Sequence, residues 1–419
     1  MTSEIKQRIE QIRRGEVPEG YVKTALGLAP ANWKRYTFGD IYTERKEPGD
    51  ENLPLLMVSI HSGVSDGEVD AAELPKQVKR IEDKSQYKKA VSGDLVFNMM
   101  RAWQGAIGTV RTTGMVSPAY IVAEPNDKAY PLFMDYYSRT PQMINQIDRQ
   151  SYGVTDFRKR LYWDSFAPIS CALPPIEEQQ KIAAILTTQD RVIELKEKCL
   201  AEKQRQKKYL MQQLLTGKKR LPGFSEEWKK VKIGSFIKEI DERSTVNNQY
   251  EILSVTKNGM VFQSSHFNKQ IASENNVGYK VVRRGNLAFS TMNLWMGSLD
   301  TLRICDTGIV SPAYKVFEFN QSLIVVNFAE NYMKSAEMIW LYKANSEQGA
   351  SIVRRNLDLQ ALLNSEVALP DISEQTAIAE VLSAADHEID LLRQDIEQEK
   401  QKKKALMQLL LTGIVRVKI

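Results

Sequence analysis

The chain has no run approaching the ~18 consecutive apolar residues that a membrane-crossing helix needs. Its opening, Met1 to Tyr21, alternates charge with single isoleucines where a secretory leader would carry an apolar core. A soluble, cytoplasmic protein with no membrane partner is expected. Cysteine is scarce: Cys171, Cys199 and Cys305 lie far apart with no Cys-x-x-Cys spacing, so neither a disulfide framework nor a zinc site is suggested. Histidine is equally scarce. His61, His266 and His387 stand at no ligand or triad spacing, so hydrolytic metal chemistry is poorly supplied and no metal is expected. No Gly-x-x-x-x-Gly-Lys-Ser/Thr loop occurs, and no Gly-x-Gly-x-x-Gly between a strand and a helix, which removes the P-loop and the dinucleotide fingerprint. Leu173-Pro174-Pro175-Ile176 has two prolines but lacks the polar residue before them that a base-holding Asn-Pro-Pro-Tyr loop carries. Those prolines read as helix punctuation, and no catalytic residue is assigned.

What remains is ample material for packed cores, 419 residues at 42% apolar content, as a prior two to four domains. The 57 Lys and Arg exceed the 52 Asp and Glu by five, a mild basicity compatible with a polyanionic partner without requiring one.

The organising feature is an internal repeat. Gly114-Met115-Val116-Ser117-Pro118-Ala119-Tyr120 recurs as Gly308-Ile309-Val310-Ser311-Pro312-Ala313-Tyr314, and Leu173-Pro174-Pro175-Ile176-Glu177-Glu178-Gln179 as Leu369-Pro370-Asp371-Ile372-Ser373-Glu374-Gln375. The segment Lys207 to Gly217, ending Leu-Leu-Thr-Gly, recurs at Lys403 to Gly413. Weaker echoes keep the same order: Trp33-Lys34 with Trp228-Lys229, and Gly93 to Phe97 with Gly285 to Phe289, each followed by Trp-x-Gly. The displacement is 192 to 196 positions throughout, so one unit is written twice.

Each unit reads as a mixed α/β segment followed by a long helix. Short β-rich runs, Leu55 to Ile60, Asp94 to Phe97 and Leu323 to Val326, are punctuated by Gly, Asn and Asp. In the second helix Ile378, Leu382, Ala385, Ile389, Leu392 and Ile396, resuming at Leu406 and Leu410, alternate spacings of four and three, a heptad seam. Ile182, Leu186, Ile193, Leu200, Leu210 and Leu214 match it in the first. Prolines precede both helices, Asp371 with Glu374 is expected to form a capping box, and Gly217 and Gly413 supply the stops.

Helices of about 37 residues at ~1.5 Å rise span ~55 Å, too long to hide a seam alone. An antiparallel pair follows. The expected fold class is α+β: two α/β domains in a tandem pseudo-two-fold repeat, separated by an antiparallel coiled coil of two long helices. The segments are 1–29 (N-terminal helix and lead-in), 30–172 and 218–368 (the two domains), 173–217 (first long helix) and 369–419 (second long helix and tail).

The seam carries polar residues at core positions: Gln189, Lys196, Lys203 and Lys207 in the first helix, Glu399 and Lys403 in the second. Two readings stand. Either the coil is solvent-bathed and its lysine stems snorkel, or other polypeptides pack onto the seam and satisfy these groups, which makes all six candidate partner-binding residues. Ile5, Ile9 and Ile12 before Gly15 imitate the end of a long helix, so the C-terminal end near Gly413 either returns to this segment or leaves a frayed helix there.

Basic residues interleave with aromatics in both domains. Arg101-Ala102-Trp103-Gln104-Gly105 and Asn293-Leu294-Trp295-Met296-Gly297 follow an inferred strand; arginine can read guanine bidentately and asparagine adenine, while a core role for the tryptophan is the competing explanation. A second element, Tyr152 to Arg160 with Arg158, Lys159 and Arg160, aligns with Gly349 to Asn356, where Arg354, Arg355 and Asn356 fall. Clustered Arg and Lys suit phosphate contact. The candidate DNA-binding residues are therefore Arg101, Trp103, Gln104, Arg158, Lys159, Arg160, Asn293, Trp295, Arg354, Arg355 and Asn356.

The tandem Leu-Pro-x-Ile-x-Glu-Gln helix openings, the Leu-Leu-Thr-Gly helix ends and the Trp-Lys domain starts resemble the specificity subunit of a type I restriction-modification system, over essentially the whole chain. The resemblance implies a subunit without catalysis of its own, whose two target-recognition domains each read one half of a split asymmetric site on double-stranded DNA. It implies two modification subunits, which methylate adenine, and restriction subunits, which translocate and cut DNA. S-adenosylmethionine, ATP and Mg are then expected only on those partners, with no cofactor on this chain. A coiled-coil scaffold that binds no DNA is the alternative.

Overall fold

The computed structural model describes residues 3–24, 27–50, 52–65, 86–153, 159–257, 259–266, 275–348 and 355–417. Two compact units divide the chain: unit 1 holds Met1–Lys196 with Asp395–Ile419, unit 2 holds Glu197–Gln394. These units cut across the five segments read from the sequence, because each takes part of both long helices.

Unit 1 begins with helix α1 (Ser3–Arg13), which has no buried residue. Its centre is an antiparallel four-stranded sheet of β1 (Tyr42–Arg45), β2 (Leu95–Asn98), β3 (Ile107–Thr109) and β4 (Tyr120–Pro125), ordered β1-β4-β2-β3. The pleat of β2 explains its unbroken apolar run, since successive side chains enter opposite cores. Leu95 and Phe97 join the large core with Phe38, Phe133 and Phe166, whereas Val96 joins a smaller one with Leu56, Val116 and Val122. Helix α2 (Pro141–Gln150) starts at Thr140, whose hydroxyl accepts from the Met143 N–H, and the long helix α3 (Ile176–Leu214) follows.

Unit 2 repeats this plan. Strands β5 (Ile237–Ile240), β6 (Leu287–Ser290), β7 (Leu299–Thr301) and β8 (Tyr314–Phe319) order as β5-β8-β6-β7, and again Leu287 and Phe289 enter one core while Ala288 enters the other. Helix α4 (Ala336–Ala344) occupies the place of α2, a short hairpin of β9 (Ser346–Gln348) and β10 (Arg355–Leu357) follows, and α5 (Ile372–Leu410) is the second long helix. The fold class is thus α+β with tandem α/β domains, and α3 and α5, of 39 residues each, pair antiparallel within each unit.

The repeated motifs converge in space. In unit 1 a strand beginning at Lys34, directly after Trp33, pairs antiparallel with one ending at Leu173; in unit 2 Lys229 pairs with Leu369 in the same way. Gly114 and Gly308 stand where a side chain cannot: a Cβ on Gly114 would lie 2.6 Å from the Pro54 carbonyl and from Leu56, and one on Gly308 would strike Leu253. Gly217 and Gly413 end the long helices at φ +66° and +71°, the left-handed conformation of a helix stop.

Three expectations are corrected. Of Leu55 to Ile60 only Val58–Ser59 forms a strand. Leu323 to Val326 forms none; the Gln375 side chain takes the Val325 N–H (2.8 Å) and donates to the Leu323 carbonyl (2.9 Å), satisfying the backbone as a neighbouring strand would, and a helix starts at Val326. The capping box is only half formed: Asp371 Oδ1 accepts from the Glu374 N–H at 2.7 Å, but the Glu374 carboxylate turns away to Arg220 and Trp228. The chain's end does return to its start, since Arg8 donates to the Ile414 carbonyl (2.9 Å) and the Tyr21 hydroxyl to that of Gly413 (2.7 Å).

Candidate nucleic-acid interface

In each unit the central strand runs into a single 3-10 turn, Ala102–Gln104 after β2 and Leu294–Met296 after β6. The buried Ala102 and Leu294 anchor the turns. Trp103 is half-buried, with its indole N–H on the Met100 carbonyl at 3.0 Å, while Arg101 and Gln104 are exposed. Asn293 and Trp295 are half-buried in the equivalent turn.

The second candidate element comes to the first in both units. Lys159 Nζ stands 5.1 Å from the centre of the Trp103 ring and 2.8 Å from the Asp148 carboxylate on α2. The Arg355 guanidinium stands 6.0 Å from the Trp295 ring, and its Nε donates to the Ser346 hydroxyl at 2.9 Å. Both are cation–π contacts. In both units the indole is the platform on which a cation of the second element rests. Lys159 and Arg355, expected at phosphates, are turned inward as braces. Their neighbours Arg160 and Asn356 are exposed, as alternation along a strand requires. Arg158 and Arg354 lie outside the described residues.

Two exposed aromatics, Tyr152 at the start of this element and Tyr162 just beyond it, are not among the candidates read from the sequence. Tyr152, 59% exposed, exchanges both backbone hydrogen bonds with Arg160, and its ring centre lies 6.0 Å from that of Tyr162, 41% exposed. The available signal was the i, i+2 spacing of Arg160 and Tyr162, which puts both on one face of an extended segment.

The seam residues find partners on the facing helix. In unit 1 Gln189 Nε2 donates to Glu399 at 2.6 Å, Lys196 bridges Asp395 (2.8 Å) and Glu399 (3.0 Å), and Lys403 meets Asp190 at 2.5 Å. In unit 2 Lys203 pairs with Glu388 at 2.6 Å and Lys207 with Asp386 at 2.5 Å. Hydrogen bonds from Gln189 and Lys196 pull the Glu399 carboxyl down to about 2, and those to Asp395 and Glu399 raise Lys196 above the ordinary lysine value.

The Glu-Gln of the repeated helix openings was read only as a helix start. Both residues are buried. Gln179 accepts from the Tyr130 N–H and donates to the Lys128 and Pro174 carbonyls; Gln375 does the same with Val325, Leu323 and Pro370. Glu178 takes both arms of Arg416 at 2.7 Å, and Glu374 both arms of Arg220 at 2.5 Å. Each arginine stands three residues beyond a Leu-Leu-Thr-Gly glycine, a spacing visible in the sequence.

A family model described as the type I restriction modification DNA specificity domain matches residues 225–401. The specificity subunit of type I restriction enzyme MjaVIII from Methanocaldococcus jannaschii is 24% identical, over 80% of this chain and 83% of its own length. The putative MjaX specificity subunit of the same organism is 23% identical over 96% of this chain and 97% of its own. Along most of its length the chain is thus similar to specificity subunits of type I restriction-modification systems. The crystal structure of the HsdS subunit from Thermoanaerobacter tengcongensis shares the fold, with a TM-score of 0.51 and 19% identity over 96% of this chain and 98% of that one. The matched region lies in the second copy of the repeat, and the first copy carries the same motifs. Among the described residues no helix is long and apolar enough to cross a membrane.

Each unit also carries a groove against its long helix, with equivalent residues in part of the lining. Lys404, Met407, Gln408 and Thr412 with Thr140 line a groove of about 490 Å³ in unit 1. Lys208, Met211, Gln212 and Thr216 with Ser335 line one of about 510 Å³ in unit 2.

Proposed function

We propose that this chain is the specificity subunit of a type I restriction-modification system, that it reads a bipartite, asymmetric target on double-stranded DNA, one half with each unit, and that it has no catalytic activity of its own. The observation that carries the reading is a single site built twice with different side chains: exposed Arg101, Gln104 and Arg160 in unit 1 stand where unit 2 has half-buried Asn293 and Met296 and exposed Asn356. Different donors read different base edges, so the halves of the target differ. Two adenine-modification subunits and the restriction subunits supply the chemistry, with S-adenosylmethionine, ATP and Mg on those partners and the flipped base in the modification subunit. Grooves of partly equivalent lining in both units fit two copies of one partner, as two modification subunits require. The seam residues Gln189, Lys196, Lys203, Lys207, Glu399 and Lys403 support that docking indirectly, by fixing the helices. A cytoplasmic location accords with action on DNA.

The test is titration of the chain, alone and with its modification subunit, against duplex DNA over a range of salt. Binding that falls linearly with log salt, together with no methylation by the pure chain given S-adenosylmethionine, is the expected result. Salt-independent binding, or stoichiometric methylation by the pure chain, overturns the reading.

A further inference from the structure

The short hairpin beside each tryptophan turn has an inner and an outer face, and only the inner face is the same in the two units. Inside, Lys159 and Arg355 rest on Trp103 and Trp295. Outside, unit 1 presents Tyr152 opposite Arg160, with backbone N–H to O distances of 3.1 and 3.0 Å, and Tyr162 two residues further along the same face. In unit 2 the outer pair is Glu347 opposite Asn356, both exposed. Asp358, the counterpart of Tyr162, is held as the cap of a helix, where it accepts from the Ala361 N–H at 2.9 Å.

Resting on the DNA-reading function above, we propose that this outer face determines specificity: Glu347 with Asn356 selects a base bearing an exocyclic amine in one half of the target, and Arg160, on the same face as Tyr152 and Tyr162, selects a guanine flanked by apolar groove surface in the other. The carboxylate is the informative group. Beside a polyanion an exposed glutamate is repelled unless it meets a donor, and in the major groove the donors are the amines of cytosine and adenine. Asn356 directly opposite can pair bidentately with adenine, so the pair suits amine-bearing bases. In unit 1 the same positions carry no acid. Arginine fits the two acceptors of guanine, and two exposed phenol rings 6.0 Å apart offer apolar area that water solvates poorly and that a thymine methyl or a deoxyribose would cover.

The experiment uses the full chain with its modification subunit and a panel of duplexes in which each base pair of the target is changed in turn. Glu347→Ala should leave affinity for unrelated DNA unchanged or higher, lower discrimination at one C·G or A·T pair about ten-fold, and leave the other half unchanged. Tyr152→Ala should lower affinity for the intact target and relax only the half that Glu347→Ala spares. Thermal melting and association with the modification subunit, both unchanged, show that each variant is folded. A Glu347→Ala protein that binds all duplexes more tightly while keeping discrimination at every pair overturns the assignment and leaves the DNA-reading function standing. A wild-type complex that discriminates at no pair overturns both.

Discussion

The two units close around their long helices with the same residues but by different connections. In unit 2 the chain runs from the end of α3 through Gly217 and Arg220 directly to Trp228, and Arg220 ties Glu374 at the start of α5. In unit 1 the corresponding residues come from opposite ends of the chain, Trp33 from its beginning and Gly413 and Arg416 from its end, and Arg416 ties Glu178 at the start of α3. Contacts, not connectivity, therefore define the junction. The indoles differ: the Trp228 N–H donates to Glu374 at 3.0 Å, whereas that of Trp33 is buried and has no partner among the described residues. Unit 1 compensates from the chain ends, where Arg416 reaches Asn32, and Arg8 and Tyr21 hold the tail.

The largest expected effects break the junctions themselves. Arg220→Ala and Arg416→Ala each strand a carboxylate that is 1% or less exposed, and each should cost about 3 kcal/mol in denaturant unfolding, the low end for a buried pair because the guanidiniums are partly solvated. Hydrogen exchange separates the two. After Arg416→Ala residues 414–417 should lose protection, since the Arg8 and Tyr21 hydrogen bonds are left to hold them, while residues 215–228 after Arg220→Ala, joined on both sides to α3 and to the strand that starts at Lys229, keep more of theirs. Equal loss in both would make the difference in connectivity irrelevant.

Gln179→Leu and Gln375→Leu come next. Each removes three hydrogen bonds and orphans buried backbone groups, so about 2 kcal/mol is expected from both, equally, by denaturant midpoint. Unequal losses would show that the clamp on Leu323 and Val325 is not the equivalent of that on Lys128 and Tyr130.

The indoles sharpen the comparison further. Trp228→Phe gives up a hydrogen bond to a carboxylate and Trp33→Phe gives up none, so the former should cost about 1.5 kcal/mol more. The smallest effect is on pH. The Glu399 carboxyl is held at about 2 against 4.5 when unperturbed, so its contribution is complete above pH ~4.5 and fades as pH falls toward 2. Glu399→Gln should flatten that stretch of the stability profile, and an unchanged profile would remove Glu399 from the account.

The helical half of the molecule was legible because its pattern is local. Every seam position named from spacing, from Ile182 to Leu214 and from Ile378 to Leu410, is buried or half-buried, and both helices stop at the expected glycines. Illegible features depend on residues far away in sequence. Leu323 to Val326 has strand composition, but its hydrogen bonds are met by Gln375, and Glu374 leaves its capping role for an arginine 154 positions earlier. The candidate site was half legible. Its two elements were found and do meet, but composition could not tell that Lys159 and Arg355 face indoles while Arg160 and Asn356 face out.

The most direct measurement is methylome sequencing of a host expressing this chain with its modification subunit. The account predicts methylated adenines in a two-part motif whose halves differ. Two identical halves related by a palindrome, or a motif unchanged when the two units are exchanged for copies of one, would contradict it.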